Sequence, residues 1–76
     1  MAADTIRATL EHAFPGGTVD VLDRTGGGDH FHVTVVSTVF DGLSLVEQHR
    51  LVNRALAVPL ADGTIHELRI TTKGTA

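Results

Sequence analysis

The side chains best suited to chemistry in this 76-residue chain are its histidines, because five are present and no cysteine is. Without cysteine the chain has no disulfide and no thiolate of its own. A metal held by this chain alone must therefore use histidine, aspartate or glutamate. Two of the five histidines, His30 and His66, fall at the starts of predicted strands, so the strand order decides whether they can share one ligand.

The elements between these two histidines predict that they lie at one edge of a sheet. Alternating apolar residues predict strands over His30–Val36 and Ile65–Thr71. The helix between them begins at Ser44, where Ser44 and Glu47 have the spacing of a capping box. A strand–helix–strand crossover joins parallel strands, whose first residues lie at the same edge. Because neighbouring strands are about 4.8 Å apart, the two imidazoles can approach one ion or cluster.

The alternation that predicts these strands also sets their faces. His66 shares a side with Leu68 and Ile70, which the helices should cover, whereas His30 points away from Phe31 toward the open side. The two histidines are thus expected on opposite sides of the sheet unless a strand turns at its first residues.

The remaining segments predict the scaffold of an α+β protein. A first helix over Thr5–Phe14 is capped by Asp4 or Thr5 and stopped by Pro15, and a strand over Thr18–Arg24 lies near the sheet edge. The glycines at 26–28 make an antiparallel hairpin with the strand that follows. Phe40 is expected to be buried, and residues 72–76 are expected to form a flexible tail. The second helix is expected to end at Pro59–Gly63, and one stripe of it contains Leu45, His49, Val52 and Leu56.

The order α-β-β-α-β predicts one domain over residues 1–76, a two-layer sandwich with a three-stranded mixed sheet and helices on one face. The net charge of −3 is not the positive charge that is typical of nucleic-acid-binding domains. No apolar run of about 18 residues and no signal peptide is visible, so we expect a cytoplasmic protein. No serine has a convincing base beside it, and no histidine and carboxylate are paired at catalytic spacing, so no enzyme is predicted.

Several of these segments together resemble the BolA family. The matching segments, in the family's order, are Thr25–Val33, Val35–Ser37, Phe40–Ser44, His49–Asn53 with Ala55 and Leu56, and Ile65–Leu68. They extend over more than half of the chain. Each segment alone is weakly specific, and their combination at this spacing is quite specific.

The resemblance implies a fold like class II KH domains and partnership with a monothiol glutaredoxin. In such pairs a 2Fe–2S cluster bridges the two proteins, and the glutaredoxin side supplies a cysteine and a glutathione thiolate. The BolA side supplies the histidine of an Ile-His motif, here His66, and a ligand from the loop before the second strand, here His30. The chain alone is expected to be a monomer. We predict a partner surface that includes Gly27 and Gly28 beside the histidines, with His49 and Arg50.

Other interpretations remain open at this point. The KH-like topology favours a nucleic-acid-binding regulator, with Arg50 and Arg54 touching phosphates, although no G-x-x-G loop precedes the second helix. A histidine site for a divalent metal that needs no partner is also possible. His66 can instead be a structural histidine, and His12 and His32 are expected to be solvated surface residues.

Overall fold

Strand pairing in the computed structural model, which describes residues 1–76, places the strand with the most regular alternation in the centre of the sheet. The helices and strands, in order, are α1 Ala3–Ala13, β1 Thr18–Asp23, β2 His30–Val36, a 3-10 turn Thr38–Phe40, α2 Leu45–Ala55, α3 Ala57–Ala61 and β3 Glu67–Lys73. This confirms the predicted α-β-β-α-β order, to which the structure adds the 3-10 turn and the short α3.

The sheet has the order β1-β2-β3, with β1 antiparallel and β3 parallel to β2. Both the hairpin and the parallel crossover predicted from the sequence are confirmed. In the parallel pair His30 lies opposite Glu67 and Phe31 opposite Leu68. The first residues of β2 and β3 therefore lie side by side at one edge.

The two faces of the sheet differ sharply in burial. Phe31, Val33 and Val35 of β2 are fully buried, and the residues between them are half-buried. The side chains that form the core are Ile6, Leu10, Phe14, Val19, Phe31, Val33, Val35, Phe40, Val52, Leu56 and Ile65. Helices cover this one face, as predicted, and the opposite face is open. The likeness to class II KH domains stays a prediction.

Helix α1 begins earlier than predicted and has a different cap. Its N-cap is Ala2, which makes no side-chain capping hydrogen bond, so the predicted cap at Asp4 or Thr5 is wrong. Asp4 lies within the first turn instead, where a carboxylate stabilises the helix through the exposed N–H groups of that end. The helix ends at Ala13, one residue before the buried Phe14.

Helix α2 begins as the sequence predicts and ends differently. Ser44 accepts a hydrogen bond from the Glu47 backbone N–H, and the Glu47 carboxylate accepts one from Ser44 N–H. Within the predicted stripe the burial is uneven, because Leu45, the first helical residue, is 61% exposed while Val52 is fully buried. The helix ends before Leu56, whose φ of −107° and ψ of 21° are not helical.

The predicted end of the second helix at Pro59–Gly63 is therefore also wrong, because the separate helix α3 contains Pro59. Proline is tolerated there because the N–H groups of a first helical turn have no partner within the helix.

None of the three helices of the structure is long and apolar enough to cross a membrane.

The last strand is shifted toward the C-terminus relative to the prediction. It begins at Glu67 rather than Ile65, and Thr72 and Lys73 pair with the end of β2, so they are not part of a flexible tail. Beyond the strand, the Asp41 carboxylate accepts hydrogen bonds from the backbone N–H groups of Thr75, at 2.7 Å, and Ala76, at 3.2 Å. Strand β1 likewise ends at Asp23, one residue before the predicted Arg24.

The capping box predicts a measurable loss of stability when its hydroxyl is removed. Ser44→Ala leaves the Glu47 N–H without its acceptor, and we expect a loss of about 1 kcal/mol in the free energy of unfolding. Urea unfolding followed by circular dichroism measures it. Thr38→Ala, at an exposed position of the 3-10 turn, is the matched control. Equal stability of the two variants would contradict the role of the cap.

The hydrogen bonds from Thr75 and Ala76, in that order, lower the pKa of Asp41 below its ordinary value. A carboxylate whose pKa is lower in the folded state stabilises that state above its unfolded pKa, and this contribution is lost as the pH falls through the folded pKa. We expect Asp41→Asn to speed amide hydrogen exchange of Thr75 and Ala76 at neutral pH. Unchanged exchange rates at both amides would contradict the anchoring of this segment.

Candidate functional site

The candidate site lies at the edge where β2 and β3 begin, and we call Asp29, His30, His66 and Glu67 the histidine rim. The backbone carbonyl of Asp29 accepts two hydrogen bonds, from His66 N–H at 2.8 Å and from Glu67 N–H at 3.3 Å. These bonds hold the residues that precede β3 against those that precede β2. Main-chain hydrogen bonds therefore set the position of the rim, and these bonds do not depend on the identity of its side chains.

The structure brings the two predicted ligand residues together. The ring centroids of His30 and His66 are 6.2 Å apart, with the ring planes at 68°. The His66 side chain is 63% exposed and that of His30 is 34% exposed. The expectation that His66 points to the covered side is wrong, because β3 begins after His66 and the alternation of the strand does not extend to it. Ile65 is the residue buried there.

Each imidazole has a carboxylate beside its Nδ1 atom. His66 Nδ1 is 3.2 Å from Asp29 Oδ2, and His30 Nδ1 is 3.4 Å from Glu67 Oε2. A carboxylate beside Nδ1 favours the neutral tautomer that carries its hydrogen on Nδ1 and keeps a lone pair on Nε2. Histidine ligands of metals are usually oriented by such a carboxylate. The arrangement therefore leaves one ring nitrogen of each histidine free to bind a metal.

The sequence reasoning missed both carboxylates. Asp29 directly precedes His30 and Glu67 directly follows His66, so the signal available was an acidic residue next to each candidate ligand. Glu67 is itself fixed by Arg24, whose Nη1 is 2.7 Å from Oε1, and Arg69 Nε is 3.7 Å from the same oxygen. The two arginines offset the negative charge that Glu67 adds to the rim.

The glycine loop beside the rim is more ordered than a free turn. The Asp23 carboxylate accepts hydrogen bonds from the N–H groups of Gly26 and Gly28, at 2.9 and 3.0 Å. Gly28 has a φ of 74°, and a Cβ there would meet the main chain of Met1 at 2.8 Å. Of the two glycines predicted to contact a partner, Gly27 is exposed and Gly28 is half-buried under Met1.

The other candidate residues lie on α2, and no hydrogen bond or ion pair joins them to the rim. Arg50 and Arg54 are exposed, and His49 is half-buried. The two arginines line a groove of about 260 Å³ together with Leu43, Glu47 and Leu51. The Ser44 backbone N–H, more than the Arg50 charge, lowers the pKa of the Glu47 carboxyl. This groove therefore carries a carboxylate as well as two guanidinium groups.

The remaining histidines lie outside the rim. His12 is exposed on α1, as predicted. His32 is half-buried, and its Nε2 lies 2.8 Å from Thr71 Oγ1 on β3. His32 is a strand residue, as predicted, and the neighbouring strand also supplies a hydrogen-bond partner for its ring.

Comparisons with known proteins agree with this description. Residues 4–76 match the family model described as BolA-like protein. The chain is 31% identical over 72 residues to an uncharacterized protein of Rickettsia prowazekii, a match that covers 95% of this chain and 92% of that protein. It is 40% identical over 75 residues to mouse BolA-like protein 1, covering 90% of this chain and 54% of the mouse protein. The chain thus spans about half the length of that relative.

A third relative, from Vibrio cholerae, is called a DNA-binding transcriptional regulator BolA. It is 40% identical over 79 residues, and the match covers 95% of this chain and 74% of that protein. Among solved structures, BolA1 from Arabidopsis thaliana superposes with a TM-score of 0.85 at 31% identity, covering 96% of this chain and 90% of that one. The BolA domain of SufE1 from the same plant also gives 0.85, at 33% identity and with 96% and 91% coverage. The family model and these relatives show that the chain belongs to the BolA family.

Proposed function

We propose that this chain is a binding partner of a monothiol glutaredoxin and shares a bridging 2Fe–2S cluster with it, in iron–sulfur cluster trafficking or iron regulation. The resemblance to the BolA family suggests this role, and His66 and His30 are the proposed ligands. The observation that carries the proposal is the rim itself. Two imidazoles from distant parts of the chain, that of His66 exposed and that of His30 half-buried, have ring centroids 6.2 Å apart at one edge of the sheet.

The donor set of the rim fits such a cluster. Imidazole is a suitable ligand for iron, and two histidines replace two cysteines on one iron of Rieske-type 2Fe–2S centres. The cluster would supply electron-accepting or iron-delivery chemistry. The chain has no cysteine, so the thiolates must come from the glutaredoxin and from glutathione. The exposure of His66 gives an outside thiol donor access to it.

The chain's own carboxylates would orient the two ligands. Asp29 beside Nδ1 of His66 and Glu67 beside Nδ1 of His30 both favour ligation through Nε2. The Asp29 carbonyl fixes the distance between the two backbones, so that only side-chain rotations are needed to reach a shared iron. A rim positioned in this way needs little reorganisation when a partner docks.

The partner surface extends from the rim under this proposal. Gly27 is exposed next to the histidines, whereas Gly28 is reached only if Met1 moves away from it. His49 and Arg50 on α2 are the further proposed contacts. The chain alone would be a monomer and would form a heterodimer with the glutaredoxin.

The proposal predicts that His66 is needed for the shared cluster. We would mix the chain with a monothiol glutaredoxin, iron, sulfide and glutathione, and record visible absorption and circular dichroism. His66→Ala should abolish the spectrum of the mixed complex, and His30→Ala should change its shape and shorten its lifetime. His12→Ala, at an exposed site on α1, is the matched control. An unaltered spectrum and lifetime with His66→Ala would exclude the ligand role.

Binding of DNA is the second candidate function. It is favoured by the name of the Vibrio cholerae relative and by the exposed Arg50 and Arg54 in one groove. The Glu47 carboxylate in that groove and the net charge of −3 weigh against it. The rim is therefore the better supported site.

The two arginines allow a direct test of DNA binding. The double variant Arg50→Ala/Arg54→Ala should abolish a salt-dependent gel shift of duplex DNA, because phosphate contacts dominate such binding. The double variant Arg7→Ala/Lys73→Ala removes the same charge from exposed positions on α1 and β3 and should bind like the parent chain. If the parent chain shows no shift at low salt, this candidate is eliminated.

A further inference from the structure

We infer that the chain without any partner binds one divalent first-row transition metal ion through Asp29, His30 and His66. This goes beyond the proposed function, because it requires no second protein, no glutathione and no sulfide. It also gives Asp29 a role as a direct ligand, which the shared cluster does not need.

The three donor atoms are already close to the spacing that a metal requires. One donor atom from each residue lies within 4.8 Å of the other two. Asp29 Oδ2 is 3.2 Å from His66 Nδ1 and 4.0 Å from His30 Nε2. In a tetrahedral zinc site with bonds of about 2.0–2.2 Å, neighbouring donor atoms are about 3.3 Å apart. Small side-chain rotations therefore bring all three donors into bonding distance.

Apart from the contact between Asp29 Oδ2 and His66 Nδ1, the surroundings fix these residues without using the metal-facing atoms. The Asp29 carbonyl ties the backbone of His66 and Glu67, and Asp29 Oδ1 lies 3.5 Å from the Thr25 hydroxyl, which leaves Oδ2 for a metal. Glu67 lies beside Nδ1 of His30 and leaves Nε2 as its donor. The carboxylate that orients His30 is thus separate from the carboxylate that would bind the metal.

The donor set selects the class of ion. Two imidazoles and one carboxylate suit zinc, iron(II) and their neighbours in the first transition series. Magnesium and calcium prefer sites made of oxygen atoms alone. Because His66 is 63% exposed, water would complete the coordination, as in metal sites that keep positions open.

The mode of binding leaves a signature that distinguishes it from simple electrostatic attraction. In the metal-free chain, Asp29 favours the hydrogen on Nδ1 of His66. A metal placed between Asp29 Oδ2 and that nitrogen would occupy the same position, so neutral His66 must carry its hydrogen on Nε2 instead. His30 would keep its hydrogen on Nδ1, beside Glu67. Metal binding therefore reverses the tautomer of one histidine and not of the other.

A bound divalent ion would also compete with the shared cluster, because both use the imidazoles of His30 and His66. A chain loaded with zinc would then have to release the ion before it could join a glutaredoxin complex. The ion and the cluster can be tested separately, since the first requires only the isolated chain.

The test is a titration of the full chain with zinc chloride, followed by calorimetry and by nitrogen-15 NMR of the histidine rings. We expect one ion per chain, ring shifts confined to His30 and His66, and the change of tautomer at His66 alone. Shifts of similar size at all five histidines, or no shift at His30 and His66, would overturn the inference. So would binding without the tautomer change at His66.

Substitutions at Asp29 separate it from the histidines. Asp29→Asn keeps the shape of the side chain and Asp29→Ala removes it, and we expect each to weaken zinc binding at least tenfold. Asp20→Asn, an exposed carboxylate on β1, and His12→Gln are the matched controls, with parent-like affinity. Amide NMR spectra report whether each variant is folded. Parent-like zinc affinity in both folded Asp29 variants would refute the assignment of Asp29, whatever the outcome of cluster reconstitution with a glutaredoxin.

Discussion

The site depends on the carbonyl oxygen of Asp29, which accepts hydrogen bonds from the backbone N–H groups of both His66 and Glu67. These residues are joined by a connection of more than thirty residues that contains α2 and α3. Closing such a connection costs conformational entropy, and the main-chain bonds at the rim are part of what compensates. They lie at the start of the parallel ladder and extend it by one residue before its first pair, His30 and Glu67. The rim is therefore an extension of the sheet and inherits its rigidity.

The hydrophobic core supports the rim through the residues next to its two histidines. Each histidine of the rim is next to a fully or almost fully buried neighbour, Phe31 beside His30 and Ile65 beside His66. Burial of these neighbours fixes the backbone on either side of the rim, so that the histidines are held outward. Burial of apolar surface contributes about 25 cal/mol per Å² to the free energy of folding. Burial of Phe31 and Ile65 therefore stabilises the backbone of the rim more than contacts between the side chains of the rim do. Core and site are thus coupled through residues that are adjacent in the chain.

Sequence reasoning was reliable where one physical effect dominates. The strict alternation in β2 fixed both its bounds and its buried face, and the Ser44–Glu47 spacing located the start of α2. The closeness of His30 and His66 followed from the parallel pairing that a crossover produces. The family resemblance added the expected ligand pair, and the family model confirms the resemblance itself.

It was unreliable where tertiary contacts decide between similar local choices. Nothing local separates Ile65 from Glu67 as the first residue of β3, and the outcome rests on hydrogen bonds donated to the carbonyl of Asp29, a residue distant in sequence. The two carboxylates of the rim were missed because their pairing with imidazoles depends on side-chain positions that spacing does not encode.

The main-chain origin of the rim has a consequence for how such a site can change. The atoms that set the position of residues 30 and 66 belong to the peptide backbone and to buried neighbours, whereas the proposed donor atoms belong to the imidazole side chains. The position of these two residues and the chemistry of their donor atoms can thus vary independently. Imidazole at residue 66 could be exchanged for thiolate or carboxylate with the scaffold unmoved, so evolution or a designer could retune this edge for another cargo one side chain at a time.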